Sequence, residues 1–340
     1  MPDIADDRRL DPRLKPMLAA FPDLTRGDAA SWEELVEEAA ANRETAQLIA
    51  AFMDANDTEE IAPSAGLRMA SHEFTSSPDG NTVKINVIRP DSDETVPGVY
   101  YIHGGGMASL SAFDGNYRAW GKIIAANGVA VTMVDFRNSI SPSTAPEVAK
   151  YPAGLDDCVA GLHWVIENAG DLGIDPDRIV LAGESGGGNL SIASTMRLKS
   201  TGELGLIKGL YALCPYIAGE WPLPRHPSST ENEGILLSLH NNRGRMGYGI
   251  EAFDAEDPMA WPSFATVDDV AGFPRTMISV NECDPLRDEG IEFYRLLLEA
   301  GVDARCRQVM GTMHGTEIFP MVCTDISRDT ARDLAAFARS

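Results

Sequence analysis

Five consecutive residues, Gly183-Glu184-Ser185-Gly186-Gly187, have the types and spacing for nucleophilic chemistry. An apolar run at 178–182 precedes them and a helix-like run at 189–199 follows. Glycine on both sides of a serine, between strand and helix, suits a turn too tight for larger side chains. Such a turn pushes the hydroxyl clear of the backbone, where a carbonyl carbon can reach it. A serine hydroxyl needs a base to deprotonate it, a group to orient that base, and donors for the oxyanion that develops.

The six histidines are His72, His103, His163, His226, His240 and His314. His103 belongs to a glycine loop, His72 and His163 precede the serine, and His226 and His240 fall in an irregular stretch. His314 follows the last strand candidate in a loop of small residues, Gly311-Thr312-Met313-His314-Gly315. In a parallel sheet such a loop opens at the carboxyl edge, beside the serine turn. His314 is therefore the expected base. Asp284, just past another strand candidate, is the expected orienting acid, placed to accept the Nδ1 proton. Glu282 and Asp288 are its rivals. Glu282 lies close to the strand, and Asp288 falls inside the helix after Pro285. Upstream, His103-Gly104-Gly105-Gly106 follows a further apolar run at 99–102. Glycines there let backbone N–H groups approach a substrate oxygen, and with the N–H of Gly186 they would complete an oxyanion hole. His103 and Gly104 are read as anchoring that loop.

The elements that must hold these residues alternate. Strand candidates are 82–89, 99–102, 129–134, 178–182, 207–214, 275–280 and 304–309. Helical candidates between and after them are 116–126, 154–169, 189–199, 286–300 and 326–339. Such alternation implies βαβ units and a mainly parallel sheet covered on both faces. The rhythm breaks between 215 and 265, a proline-bearing stretch long for a loop in a compact domain. It reads as a cap inserted over the site. Residues 1–60 read as amphipathic helices and the other half of that cap. Ser31-Trp32-Glu33-Glu34 resembles a capping box there. The division is thus 1–60 and 215–265 as cap, with 61–214 and 266–340 as the two parts of the core.

Bulk composition excludes several classes. The net charge of −23 argues against nucleic acid or an anionic membrane as partner. No segment approaches the ~18 apolar residues of a membrane span. The acidic start, Met1-Pro2-Asp3-Ile4-Ala5-Asp6-Asp7, lacks a signal core, so a cytoplasmic location is expected. The five cysteines show no CxxC and no zinc spacing, so reduced thiols and no metal are expected.

Taken together, the serine turn, the HGGG loop and the Ser, Asp, His order resemble the hormone-sensitive-lipase-like group of α/β-hydrolases, the bacterial family IV carboxylesterases. The resemblance runs from about residue 80 to the C-terminus. Residues 134–138, 183–190, 257–262 and 284–290 carry it most closely. It implies an eight-stranded, mostly parallel sheet with a helical cap. It also implies ester hydrolysis without cofactor, with Ser185, Asp284 and His314 as triad and Gly105, Gly106 and Gly186 as oxyanion hole. Members of the group commonly pair through the sheet edge, so a homodimer is implied. Two departures stand out. Glu184 and Gly186 replace the usual Asp and Ala around the nucleophile, and Asp135-Phe136-Arg137-Asn138-Ser139-Ile140-Ser141 replaces the widespread Asp-Tyr-Arg-Leu-Ala-Pro-Glu. Neither is expected to touch the chemistry.

The expected substrate is a small, uncharged, short-chain ester. The same triad acting on a lactone, carbamate or aryl amide is the alternative, with a non-catalytic ligand receptor further off. Gly183-x-x-Gly186-Gly187-Gly188 superficially resembles a phosphate loop. It lacks both the Gly-x-Gly-x-x-Gly spacing and a following Gly-Lys-Ser/Thr.

Overall fold

The computed structural model describes residues 6–20 and 25–340. Eight strands form one sheet: β1 (Leu67–Thr75), β2 (Thr82–Pro90), β3 (Val96–Ile102), β4 (Ala130–Asp135), β5 (Ile174–Glu184), β6 (Gly209–Leu213), β7 (Thr276–Asn281) and β8 (Ala304–Val309). Their order is β1-β2-β4-β3-β5-β6-β7-β8. The β1–β2 and β2–β4 pairs are antiparallel, and every pairing from β4 to β8 is parallel. The parallel strands therefore aim their carboxyl ends, and the loops that follow, at one edge of the sheet.

The period-2 alternation of a strand sends successive side chains to opposite faces. In β3, Tyr100 and Ile102 join one buried cluster with Leu155, Leu162 and Leu190, while Val99 and Tyr101 join the other with Trp120, Ala331 and Leu334. Helices Ala153–Glu167 and Gly186–Thr201 supply the first cluster. Helices Gly115–Ala125 and Thr324–Arg339 pack together in the second. Each large side chain fully buried this way contributes roughly 1.5–3 kcal/mol. The five expected core helices are all present, with ends shifted by at most three residues.

β1 lies outside every strand candidate. It is an edge strand, mostly exposed, and Phe74 is its one buried side chain. No apolar run marks it, because it has no core face to fill.

Among the described residues up to 60 there are three helices, Leu14–Ala20, Trp32–Ala41 and Arg43–Asp54. The expected cap at Ser31 forms on one side, with the Glu34 N–H donating to Ser31 Oγ at 3.2 Å. The return arm differs from the expectation, since the Glu34 carboxylate accepts from the N–H of Ala30 at 2.7 Å. Residues 215–265 carry short helices, Ser228–Glu231, Arg243–Tyr248 and Ile250–Asp254, and no strand. The two regions are joined directly. Ala29 donates its N–H to Asn242 Oδ1 at 2.8 Å and accepts Asn242 Nδ2 at 2.9 Å. Of the acidic start, residues 1–7, the first five lie outside the described residues.

All five cysteines are free thiols, and four are buried. Among the described residues no helix is long and apolar enough to cross a membrane.

Candidate active site

Ser185 sits between the last residue of β5 and the first turn of helix Gly186–Thr201. Its backbone has φ 57° and ψ −121°, a sparsely populated conformation that costs about 1–3 kcal/mol. Hydrogen bonds hold it there: the Ser185 N–H donates to Leu213 O, and Ser185 O accepts from Tyr216 N, both at 3.0 Å. The turn is closed so tightly that a Cβ on Gly183 would lie 2.4 Å from Gly187 O.

His314 follows β8 and Asp284 follows β7, neighbouring parallel strands. Thirty residues apart in sequence, they meet with His314 Nδ1 at 2.8 Å from Asp284 Oδ2. Both are buried, Asp284 completely. The other carboxylate oxygen accepts the Leu286 N–H at 2.9 Å. Burial disfavours the imidazolium, yet the adjacent Asp284 carboxylate outweighs it and holds the His314 pKa well above its ordinary value. Cys214 adds its Sγ, so that sulfur, imidazole and carboxylate donors lie within 4.8 Å of one another. Both Asp284 oxygens are already engaged by N–H donors, which suits this group to a proton rather than a metal ion.

The rival acids are committed elsewhere. Glu282 accepts the Gly311 N–H at 2.7 Å. Asp288 accepts the Ser228 N–H at 2.7 Å and pairs with Arg287.

The glycine loop lies against the serine turn. A Cβ on Gly186 would stand 2.8 Å from Gly106 N and 2.5 Å from Met107 N, so no larger residue fits without displacing that backbone. Gly105 and Gly106 have φ of +89° and +63°, the left-handed region that favours glycine. His103 is buried beneath them, stacked on Phe136 with centroids 4.3 Å apart. Its Nδ1–H donates to Gly104 O at 3.0 Å, and burial lowers its pKa.

Ser185, His314, Gly105 and Gly106 line one cavity of about 320 Å³. Among the described residues His314 is the only histidine on its wall. The remaining lining is chiefly apolar: Ile49 and Met53 from the N-terminal helices, Leu236 and Leu237 from the 215–265 stretch, and Ile318 and Phe319 near the C-terminus. Six non-glycine residues have positive φ among those described, and three of them, Leu110, Ser185 and Leu236, line this cavity. Met107 and Cys214 are two of the others, and both touch the site. Strain of this kind gathers where the surrounding structure over-determines a functional arrangement. Sequence reasoning missed Leu110, Leu236, Tyr117 and Cys214. None carries a local signal, since a leucine at positive φ looks like any other leucine.

Comparison with known proteins identifies the fold and the family. Residues 99–318 match the family model described as alpha/beta hydrolase fold. The carboxylesterase NlhH of Mycobacterium tuberculosis is 34% identical over 252 residues, covering 73% of this chain and 75% of that protein. Among solved structures, esterase Est22 superposes with a TM-score of 0.98 at 62% identity over 99% of both chains. Brefeldin A esterase, described as a bacterial homologue of human hormone-sensitive lipase, gives 0.85 at 34% identity, over 98% of this chain and 94% of that one. The chain belongs to the α/β-hydrolase family, in its hormone-sensitive-lipase-like branch. It is a carboxylic ester hydrolase.

Proposed function

We propose that the chain hydrolyses small, uncharged, short-chain esters through an acyl-enzyme on Ser185. His314 Nε2 takes the Ser185 proton as the hydroxyl oxygen attacks the ester carbonyl. Asp284 holds the imidazole tautomer and stabilises the imidazolium. The oxyanion is received by the N–H groups of Gly105, Gly106 and Gly186, each such donor lowering the barrier by roughly 3 kcal/mol. His314 then protonates the departing alcohol. Water deprotonated by the same histidine attacks the acyl-enzyme and releases the acid.

One observation carries this reading: the buried His314–Asp284 pair, at 2.8 Å, opens on the same cavity as the strained serine and the glycine loop. The apolar lining favours an uncharged substrate, and the charge of −23 repels an anionic one at long range. The N-terminal helices and the 215–265 stretch, which meet through Ala29 and Asn242, are read as a cap closing the cavity. Pairing of two copies along the exposed edge of β8 belongs to the same reading, and size-exclusion chromatography decides it.

The test is a p-nitrophenyl ester series from acetate to palmitate, run beside Ser185→Ala. The relative Est22 has been solved with p-nitrophenol, the leaving group of this series. A short-chain maximum is expected, with turnover reduced at least about 10⁴-fold in the variant. Turnover surviving Ser185→Ala would end the serine mechanism. A maximum at palmitate would end the short-chain assignment.

A further inference from the structure

The residue before the nucleophile carries a second task. Glu184 replaces the aspartate usual in the resembled group, and it borders the same cavity as Ser185 while its carboxylate is held by groups from other parts of the chain. It is 2% exposed. Its carboxylate is surrounded by three donors. Oε2 accepts the Tyr101 hydroxyl at 2.5 Å. Oε1 accepts the Tyr117 hydroxyl at 2.6 Å and the Gly104 N–H at 2.7 Å. The Gly104 N–H is shared with Tyr117 Oη at 3.0 Å. Tyr101 and Tyr117 are completely buried, one from β3 and one from helix Gly115–Ala125. The approach is close enough that a Cβ on Gly104 would fall 2.3 Å from Glu184 Oε1.

Gly104 opens the loop whose next two residues supply oxyanion donors in the proposed mechanism. The departure at position 184 thus lies in direct contact with that loop. We infer that Glu184 is a positioning residue. Its carboxylate, locked by two tyrosines, holds the Gly104 peptide and so fixes the direction of the Gly105 and Gly106 N–H groups. One side chain thereby ties both halves of the site together, because its own backbone carries Ser185. The carboxyl sits ready for either protonation state: burial pushes its pKa up to about 7, against the pull of its hydrogen bonds. The inference rests on the serine-esterase reading above.

Misdirected donors should weaken transition-state stabilisation and leave ground-state binding nearly alone. The variants are Glu184→Met, which keeps the length and removes the acceptor, Glu184→Gln, which keeps one acceptor oxygen, and Tyr117→Phe. The substrate is p-nitrophenyl butyrate. The inhibitor is a trifluoromethyl ketone of similar chain length, which adds to the serine and places its oxyanion in the hole. Glu184→Met is expected to lower kcat by about 10- to 100-fold and to weaken the ketone by the same factor, with KM changed less than about threefold. Glu184→Gln should fall between it and the wild type. If Glu184→Met does not fold, Tyr117→Phe decides, with an expected drop of about three- to tenfold in kcat and in ketone affinity together. A folded Glu184→Met, or in its absence a folded Tyr117→Phe, with wild-type kcat and ketone affinity overturns the inference. So does a rise in KM at unchanged kcat. Ser185→Ala run in parallel separates the two claims. If it is inert while Glu184→Met behaves as wild type, only the positioning role falls. If it is active, the esterase mechanism itself falls.

Discussion

Cys214 stands beside the His314–Asp284 pair, its Sγ within 4.8 Å of a ring nitrogen of His314 and a carboxylate oxygen of Asp284. A thiol this near an imidazole could serve as a rival nucleophile, but here burial pushes its pKa up to about 11. At neutral pH it is an uncharged wall. Iodoacetamide, which attacks thiolates, is therefore expected to leave activity within about twofold of the untreated enzyme at pH 7.5. Loss of most of the activity, with a carbamidomethyl group mapped to Cys214, would contradict this.

In the proposed mechanism His314 takes the serine proton, which it can do only when neutral. Its pKa is a contest between burial, which lowers it, and the Asp284 carboxylate, which raises it and wins. Activity should therefore rise with pH through a limb above the ordinary histidine value of 6.5. Asp284→Asn removes the raising charge and leaves the burial, so the limb in its residual activity should move to lower pH. Its kcat should fall by about 10⁴-fold. A pH–rate profile of both proteins settles the direction, and a limb that stays in place would remove Asp284 as the partner that sets it.

Glu289 anchors the start of the 215–265 stretch. Completely enclosed, its carboxylate accepts the N–H groups of Ile217 at 2.7 Å and Ala218 at 3.2 Å and the Trp221 indole at 2.8 Å. Glu289→Ala leaves three buried donors without an acceptor, at about 1–3 kcal/mol each. The expected loss is at least about 3 kcal/mol in urea unfolding, together with a shift in Trp221 emission. A midpoint unchanged from the wild type would show that water replaces the carboxylate.

Ile49 lines the reacting cavity and also a neighbouring apolar one of about 660 Å³, whose walls include Met17, Phe52 and Val322. Truncation to alanine should join them. Each methylene newly buried contributes about 0.8 kcal/mol, or roughly fourfold in kcat/KM. Ile49→Ala is thus expected to shift the preferred acyl chain upward by about two carbons or more in the same p-nitrophenyl series. An unshifted optimum would mean that the wall between the cavities is built by other residues.

What the sequence made legible was whatever leaves a local mark. Ser185 is framed by glycines because the turn excludes a Cβ, and His314 follows a strand in a loop of small residues, so both stood out by type and spacing. β7 and β8 read as strands, which puts Asp284 and His314 at one sheet edge. β1 was missed because an exposed edge strand has no apolar face to betray it. Nothing local marks what Glu184 does, since its tyrosine partners lie 67 and 83 residues away and their meeting depends on the finished sheet. Ser31 was placed correctly as a cap, while the partner of Glu34 slipped by one residue to Ala30. A shift of that size depends on how the chain enters the helix, which the motif leaves open.

The backbone of Ser185 is stitched to the chain on both sides of the end of β6, at Leu213 and at Tyr216. A nucleophile on a free loop can fray while the rest of the molecule stays intact. Ser185, the proposed nucleophile, is instead tied by two backbone hydrogen bonds to the end of β6 and the residues just after it. Catalytic decay on heating should then coincide with loss of the whole fold, which makes turnover a gauge of the intact sheet rather than of a mobile tip.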